Sequence, residues 1–249
     1  MFRHQGKTRT LKHNLQLATS LALIAGIVNV SGFLAIEQLT TNVTGHFALF
    51  INDLADAKFA RGITYFAYII SFFFGSFVSS LLIERFDENQ RLNVYVIPTL
   101  VECVFLVLAV ILYHNSGLEF PNLMACLLLF AMGLQNSYVT KISNTVVRTT
   151  HLTGLFTDLG IELSQLFFPK YDSFRGKIKA NIKLRILIIA FFFVGGLVGG
   201  YIYVELDFRL YTLLVAATIL LLALFYDDFK YNIIKTRRRL TQREPANKD

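Results

Sequence analysis

The chain has 249 residues, of which 54% are hydrophobic and 16% are charged, and its mean hydropathy is +0.52. A soluble domain carries roughly 25% charged residues and needs no apolar runs of about 20 residues, so this composition excludes a soluble enzyme, a disordered chain and a small disulfide-linked scaffold. A net charge of +7 would suggest nucleic acid in a soluble protein, but in a membrane protein the positions of the charges matter more.

Six apolar segments are long enough to cross a bilayer as helices. At 1.5 Å per residue, about 20 helical residues span a hydrocarbon core of about 30 Å. In chain order the predicted spans are Leu15–Ile36, Ile63–Ile83, Val94–Tyr113, Leu123–Thr140, Ile186–Val204 and Leu210–Tyr226. The sequence therefore predicts an all-α polytopic membrane protein with six transmembrane helices.

The basic residues are unevenly divided between the two sides that these spans define. All but three of the 24 Lys and Arg residues fall in the N-terminal tail, in the loops after the second and fourth spans, or in the C-terminal tail, whereas Lys58, Arg61 and Arg209 fall on the other side. Segments rich in Lys and Arg stay in the cytoplasm. We therefore expect both termini to be cytoplasmic, with basic tails at residues 1–13 and 228–249.

Short motifs recur in the same order in both halves of the chain. They are Gly26-Ile27-Val28-Asn29, Thr44-Gly45 and Phe72-Phe73-Phe74-Gly75 in the first half, and Gly133-Leu134-Gln135-Asn136, Thr153-Gly154 and Phe191-Phe192-Phe193-Val194-Gly195-Gly196 in the second. Motifs this short also recur by chance. If they are copies, each copy holds three spans, and because three is odd the copies enter the membrane from opposite sides. We expect two inverted three-span repeats, residues 14–113 and 114–227, an arrangement typical of secondary transporters with sites near the midplane.

Each half also contains a short predicted helix directly after its Thr-Gly pair. These helices are Phe47–Ala57 and Leu155–Phe168, and both are too short to span, so they are predicted to be re-entrant or interfacial. The Thr oxygen can cap the first free amides, and Gly permits close backbone approach. Re-entrant N-termini would direct partial positive charge at an anionic solute. The alternative is that each Thr-Gly pair only starts a surface helix.

These motifs resemble those of the YoaK-type family of bacterial membrane proteins, a domain of unknown function. The resemblance is carried by Gly26-x-x-Asn29, Asn42-Val43-Thr44-Gly45, Gly133-Leu134-Gln135-Asn136 and Thr149-Thr150-His151-Leu152-Thr153-Gly154, and it covers about residues 14 to 226. The family's first signature usually reads as a Met-Thr-Gly-Asn-like run, in which Val43 and His46 stand here for Met and Asn. The resemblance implies six spans in the bacterial inner membrane and no settled substrate, so function rests on the residues themselves.

Polar side chains inside apolar spans are costly to bury, so they are the main candidates for a site. The predicted solute-binding residues are Asn29, Thr44, Gly45, Gln135, Asn136, Thr153 and Gly154. Glu102, in the third span, is the candidate proton-coupling residue, because burial favours the protonated carboxyl. Pro98 predicts a kink near it. The structural alternatives are that the amides only join helices and that Glu102 is a neutral, hydrogen-bonded acid.

Among the acidic residues of the short helices, Asp53 lies on the first, and Asp158 and Glu162 lie one turn apart on the second. We expect them to form solvated faces, with cation binding as the alternative. His46 and His151 are two isolated imidazoles, whereas a metal site needs three or four ligands. No cofactor motif and no nucleophile–base pair is visible, so we predict neither a metal, nor a cofactor, nor an enzyme.

The function expected from these features is a small secondary transporter of an unidentified solute, which the helix N-termini would favour as an anion. The alternative is a non-transporting membrane scaffold that anchors a partner. The lipid bilayer is the expected surrounding, nucleic acid is not an expected partner, and a homo-oligomer is compatible with the sequence.

Overall fold

The computed structural model describes residues 10–87 and 95–241, with side chains described for residues 10, 12–86 and 95–226. Over these ranges the chain forms α-helices and contains no strand. The helices are α1 (Leu11–Ile36), α2 (Thr44–Ala55), α3 (Phe59–Asp87), α4 (Val96–Ser116), α5 (Pro121–Ile142), α6 (Leu152–Gln165), α7 (Arg175–Val204) and α8 (Thr212–Thr241), with short 3-10 helices at Pro169–Phe174 and Arg209–Tyr211.

Six segments of the described chain have the length and composition of membrane spans. They are Lys12–Ile36, Phe59–Phe86, Val96–Ser116, Pro121–Ile142, Pro169–Val204 and Arg209–Tyr226. Each overlaps one predicted span along most of its length, so the predicted all-α architecture with six spans is confirmed. The short predicted helices are also present, as α2 and α6.

The helix ends differ from the predicted ones where charged residues continue a helix. α7 starts at Arg175, well before the predicted Ile186, because Lys and Arg are good helix formers and only the apolar run was visible in the sequence. α8 likewise continues through Thr241 into the predicted basic tail. Of the predicted basic tails and loops, residues 1–9, 88–94 and 242–249 lie outside the described residues.

Pro98 lies too early in its helix for the argument behind the predicted kink. It is the third residue of α4, whose first residue is Val96. In the first turn the missing N–H of a proline has no intrahelical partner to lose. The physical reason for the predicted kink is therefore absent.

Two long helix pairs dominate the packing: α1 lies along α7, and α3 lies along α5. Four glycines permit backbone contact in these pairs, because a Cβ on any of them would overlap a carbonyl oxygen of the facing helix. The overlaps are Gly26 with Phe192, Gly133 with Phe72, Gly75 with Phe130 and Gly195 with Leu23. Small residues at such crossings let membrane helices approach closely. α1 and α5 are the most buried of the six spans and form the centre of the bundle.

Candidate functional site

The first hairpin, residues 37–58, folds back beside α1. Thr41 Oγ1 donates a hydrogen bond to Asn29 Oδ1 at 2.8 Å, and Thr40 Oγ1 donates to the Val28 carbonyl at 3.4 Å. Asn29 lies seven residues before the end of α1 at Ile36, which corresponds to about 10 Å along the helix axis. Residues 37–43 therefore run back alongside the span, and α2 begins at that depth.

α2 then returns antiparallel to α3. His46, in its first turn, stacks near Tyr65 and Tyr68, with ring centroids 6.1 and 5.0 Å away, whereas Asp53, in its last turn, lies 3.4 Å from Arg61. Residues 37–43 and α2 together form a hairpin that packs on α1 and α3.

A short link closes the first hairpin before α3 begins. Lys58 Nζ donates a hydrogen bond to Asp56 Oδ2 at 2.8 Å, and this bond lowers the pKa of the Asp56 carboxyl. Both side chains are about half exposed, so the pair adds little to stability.

The second hairpin, residues 143–174, repeats this course beside α5. Thr150 Oγ1 donates to Asn136 Oδ1 at 2.7 Å, six residues before α5 ends at Ile142. α6 then returns antiparallel to α7, since Asp158 meets Arg185 at 3.2 Å, whereas Glu162, one turn later in α6, meets Asn181, one turn earlier in α7, at 3.0 Å. Both halves therefore hold a helical hairpin against their central helix through the same Asn–Thr hydrogen bond.

The two short helices begin differently from the expectation. The Thr44 and Thr153 side chains do not cap them. Asn42 Oδ1 caps α2 instead, accepting from the amides of Thr44 at 2.8 Å and Gly45 at 3.3 Å. At α6, a Cβ on Gly154 would overlap the His151 ring, so that glycine leaves space for the imidazole.

The predicted site residues fall into two groups. Asn29, Thr44 and Gly45 lie at the first hairpin, and Asn136, Thr153 and Gly154 lie at the second. The Thr44 and Thr153 hydroxyls are exposed, and the two asparagines are partly buried. No hydrogen bond between described side chains joins the two groups.

Gln135 lies between the two central helices. It is fully buried, and its Nε2 donates to the Leu21 carbonyl of α1 at 3.3 Å, while its Oε1 accepts no hydrogen bond. Asn136 uses its Nδ2 to donate to the Met132 carbonyl at 2.8 Å, in addition to accepting from Thr150. The amides of α5 are thus engaged in packing contacts.

Glu102 is fully buried between α4 and α5. The Tyr138 hydroxyl donates to its Oε2 at 2.7 Å, whereas Oε1 accepts no hydrogen bond. No Lys or Arg of the described side chains forms an ion pair with it. The arrangement matches a neutral, hydrogen-bonded acid, and such an acid can also exchange a proton.

The sequence model of the family described as "Protein of unknown function (DUF1275)" matches residues 17–226. The chain belongs to this family. It is also 27% identical over 193 residues to "UPF0700 transmembrane protein YoaK" of Bacillus subtilis (strain 168), covering 73% of this chain and 80% of that protein. No solved structure matches the chain significantly. The resemblance to the YoaK-type family is therefore confirmed, and with it a multi-pass membrane protein.

Sequence reasoning missed the residues that join the hairpins of this DUF1275 protein to the bundle. Thr41 and Thr150 each stand four residues before the Gly of a Thr-Gly pair, so their shared spacing was the available signal. The solvated-face prediction was wrong for Asp53 and Glu162, which are buried against α3 and α7. It holds for Asp158, whose side chain is 53% exposed.

A separate groove lies on one face of α3 near its C-terminal end. It is lined by Phe77, Ser80, Leu81, Glu84 and Arg85. None of the predicted site residues of this DUF1275 protein lines it. The groove therefore adds nothing to the two hairpin groups.

Proposed function

We propose that this DUF1275 protein is a small secondary transporter built from two inverted three-span repeats. The pairing of helices supports this proposal. α1, the first span of one copy, packs on α7, the second span of the other, and α5 packs on α3 in the reciprocal way. α2 on α3 and α6 on α7 are the corresponding short-helix pairs.

The glycine contacts support the same correspondence at single-residue level. Gly26 faces the carbonyl of Phe192, and Gly133 faces the carbonyl of Phe72. Three residues after Phe192, Gly195 faces a carbonyl of α1. Three residues after Phe72, Gly75 faces a carbonyl of α5. An exchange of identical contacts is what a two-fold relation between the copies would produce, and inverted repeats place their site between them.

The observation that carries the proposal is the pair of hairpins held by equivalent Asn–Thr hydrogen bonds, which we infer to be re-entrant. Irregular backbone at membrane depth is tolerated where it is buried in protein or lines a water-filled cavity. The exposed hydroxyls of Thr44 and Thr153 lie at the N-termini of α2 and α6. Helix N-termini carry partial positive charge, so the solute we propose is a small molecule with an anionic group.

Glu102 is the proposed proton-coupling residue. A carboxyl that is buried beside the Tyr138 hydroxyl is held in its protonated form until a conformational change admits water. Solute movement would then be accompanied by release of that proton. The proposal assigns the chain no catalytic step.

Flux measurements in proteoliposomes test this function. We would load phosphate, sulfate, acetate, succinate or a neutral sugar as radiolabelled probes, with and without a pH gradient. Thr44→Val and Thr153→Val are expected to lower flux of an anionic probe at least about tenfold, and Glu102→Gln to remove the effect of the gradient. Thr218→Val is the matched control, because this exposed threonine bonds only to the Leu214 carbonyl within α8.

Flux that is equal in wild type and all three variants would contradict the site.

The second candidate function is a non-transporting scaffold. It is favoured because the Nδ2 and the Oδ1 of Asn136 both make hydrogen bonds within the protein. It predicts no flux of any probe and loss of a co-purifying partner in Asn136→Leu. Retention of flux in that variant with unchanged folding would argue against the scaffold.

A further inference from the structure

The connection between α6 and α7 has no counterpart in the first half of the chain. Residues 56–58 join α2 to α3, whereas residues 166–174 lead from α6 to α7 and include the 3-10 helix Pro169–Phe174. α7 has 30 residues, which correspond to about 45 Å of helix. The hydrocarbon core is about 30 Å thick, so part of α7 extends beyond it. The Lys and Arg residues of α7 all lie between Arg175 and Arg185, so its start is the part that lies at the polar interface of the membrane.

Exposed aromatic side chains mark this connection. Phe167, Phe168 and Phe174 are 84%, 54% and 59% exposed. Three exposed phenylalanines this close together are unfavourable in water, but aromatic rings are stable at the level of lipid headgroups and upper acyl chains. Their position directly before a membrane span gives them that environment.

Uncompensated amines accompany the aromatic rings. In residues 167–183, the exposed lysines that make no ion pair with described residues are Lys170, Lys177, Lys179 and Lys183. The acid of this segment, Asp172, is already paired with Arg175 at 2.7 Å. Ile178 and Ile182 pack inward, so Lys179 and Lys183, also four residues apart, share one outward face of the helix.

The position of Lys170 links the two features. Its Nζ lies 5.8 Å from the Phe168 ring centroid and 5.0 Å from that of Tyr171. A cation over an aromatic face remains free to donate hydrogen bonds on its other side. The amine and the rings are thus presented together, with the charge beside the apolar surface.

We propose that residues 167–183 form a binding surface for anionic phospholipid headgroups. The lysine amines donate hydrogen bonds to phosphate oxygens, and the phenylalanine rings lie among the upper acyl chains. An acidic protein partner would satisfy the lysines but would leave Phe167 and Phe168 without an apolar environment unless it also covered them. An anionic lipid supplies a phosphate for the lysines and an apolar environment for the phenylalanines, at the depth where the span begins. This surface does not depend on whether the protein transports a solute.

Thermal unfolding of the full chain in detergent tests the surface. The protein has no Trp, and its two free cysteines are the buried Cys103 and the partly buried Cys126. In a Cys126→Ala background, a thiol-reactive dye therefore reports unfolding when the Cys103 thiol becomes exposed. Phosphatidylglycerol is expected to raise Tm more than phosphatidylcholine does, and native mass spectrometry is expected to show bound phosphatidylglycerol. Soluble glycerol phosphate, which lacks acyl chains, is expected to leave Tm unchanged.

The variant Lys177→Gln/Lys179→Gln/Lys183→Gln is expected to lose most of the selectivity for phosphatidylglycerol. Each lysine removed is expected to lower the affinity for this lipid roughly fivefold. The Tm of the variant in phosphatidylcholine is expected to equal that of the wild type. Phe167→Ser/Phe168→Ser is expected to weaken lipid binding without removing the preference. The control is Lys58→Gln/Arg209→Gln, which removes basic charge elsewhere and is expected to behave as wild type.

Four results would overturn the proposal. Equal effects of the two lipids on wild type would show no headgroup recognition. An unchanged preference in the triple lysine variant would place recognition elsewhere. A Tm increase with glycerol phosphate equal to that with phosphatidylglycerol, or a lysine-dependent acidic protein partner without lipid preference, would assign the surface to a different ligand.

Discussion

The two hairpins are attached to the bundle by the same hydrogen bond but are held along their length by different chemistry. At the turn that precedes each short helix, here called the base of the hairpin, Asn29 accepts from Thr41 and Asn136 accepts from Thr150, at 2.8 and 2.7 Å. The common base shows what each half requires: a polar contact that turns the chain back along its central helix. The remaining contacts follow from what each hairpin packs against.

The first hairpin is held mainly by aromatic contacts. His46 is buried between Tyr65 and Tyr68, and its Nε2 is 2.7 Å from the Leu39 carbonyl. Its ion pair, Asp53 with Arg61, uses an arginine side chain that is 64% exposed. The second hairpin is held by charge, since the largely buried Arg185 contacts both Asp158 at 3.2 Å and Glu162 at 3.1 Å.

The largest expected effect compares the two arginines. Arg185→Gln leaves Glu162 buried without its cation and is expected to destabilise the protein by about 3–5 kcal/mol. Arg61→Gln also leaves a buried carboxylate, that of Asp53, without its cation, but the Arg61 side chain is 64% exposed and the pair is partly screened by solvent, so the expected loss is smaller, about 1–3 kcal/mol. Thermal unfolding in one detergent measures both, and hydrogen exchange is expected to rise in α6 for the first and in α2 for the second. Equal losses would remove the distinction between the hairpins.

An intermediate effect is expected from exchanging the residue after each Thr-Gly pair. His46→Leu introduces the second hairpin's residue type and leaves the Leu39 carbonyl without its imidazole partner, at a cost of about 1–3 kcal/mol. Leu155→His buries an imidazole that has no partner and is expected to cost a similar amount. Hydrogen exchange of α2 and α6 measures each change separately. If His46→Leu were neutral, the aromatic cluster would not hold the first hairpin.

The smallest effect is expected at the shared base. Thr41→Val and Thr150→Val each remove one hydrogen bond, and such bonds between membrane helices contribute about 0.6 kcal/mol on average. The two losses are expected to match, because the geometry is the same in both hairpins. Double-mutant cycles with Asn29→Leu and Asn136→Leu isolate the two coupling energies. A clear difference between them would show that the bases are not equivalent.

Much of the fold was predictable because it depends on local sequence. A span needs a continuous apolar run, and its backbone groups are satisfied within the same helix, so the six spans and both short helices could be found without knowing their neighbours. Helix ends were less predictable, as Pro98 and the start of α7 show. In both cases the apolar run and the hydrogen-bonded helix begin at different residues.

The candidate site was predictable only in part. Asn29 and Asn136 were found because an amide inside an apolar run is conspicuous, but their partners Thr41 and Thr150 lie in loops where threonine is ordinary. Asp53 and Glu162 were assigned to solvated faces because periodicity shows that a helix has a polar face and does not show what that face packs against.

The sequence by itself determined the class of protein, the number of spans, the family motifs and the expected orientation, because bilayer thickness and the cost of moving charge act on each segment separately. Tertiary structure decided the pairing of α1 with α7 and of α3 with α5, the return of both hairpins along their central helices, and the burial of Arg185 with Glu162. Those features depend on contacts between residues far apart in the chain, where one glycine or one threonine acquires its role only from the helix that it faces.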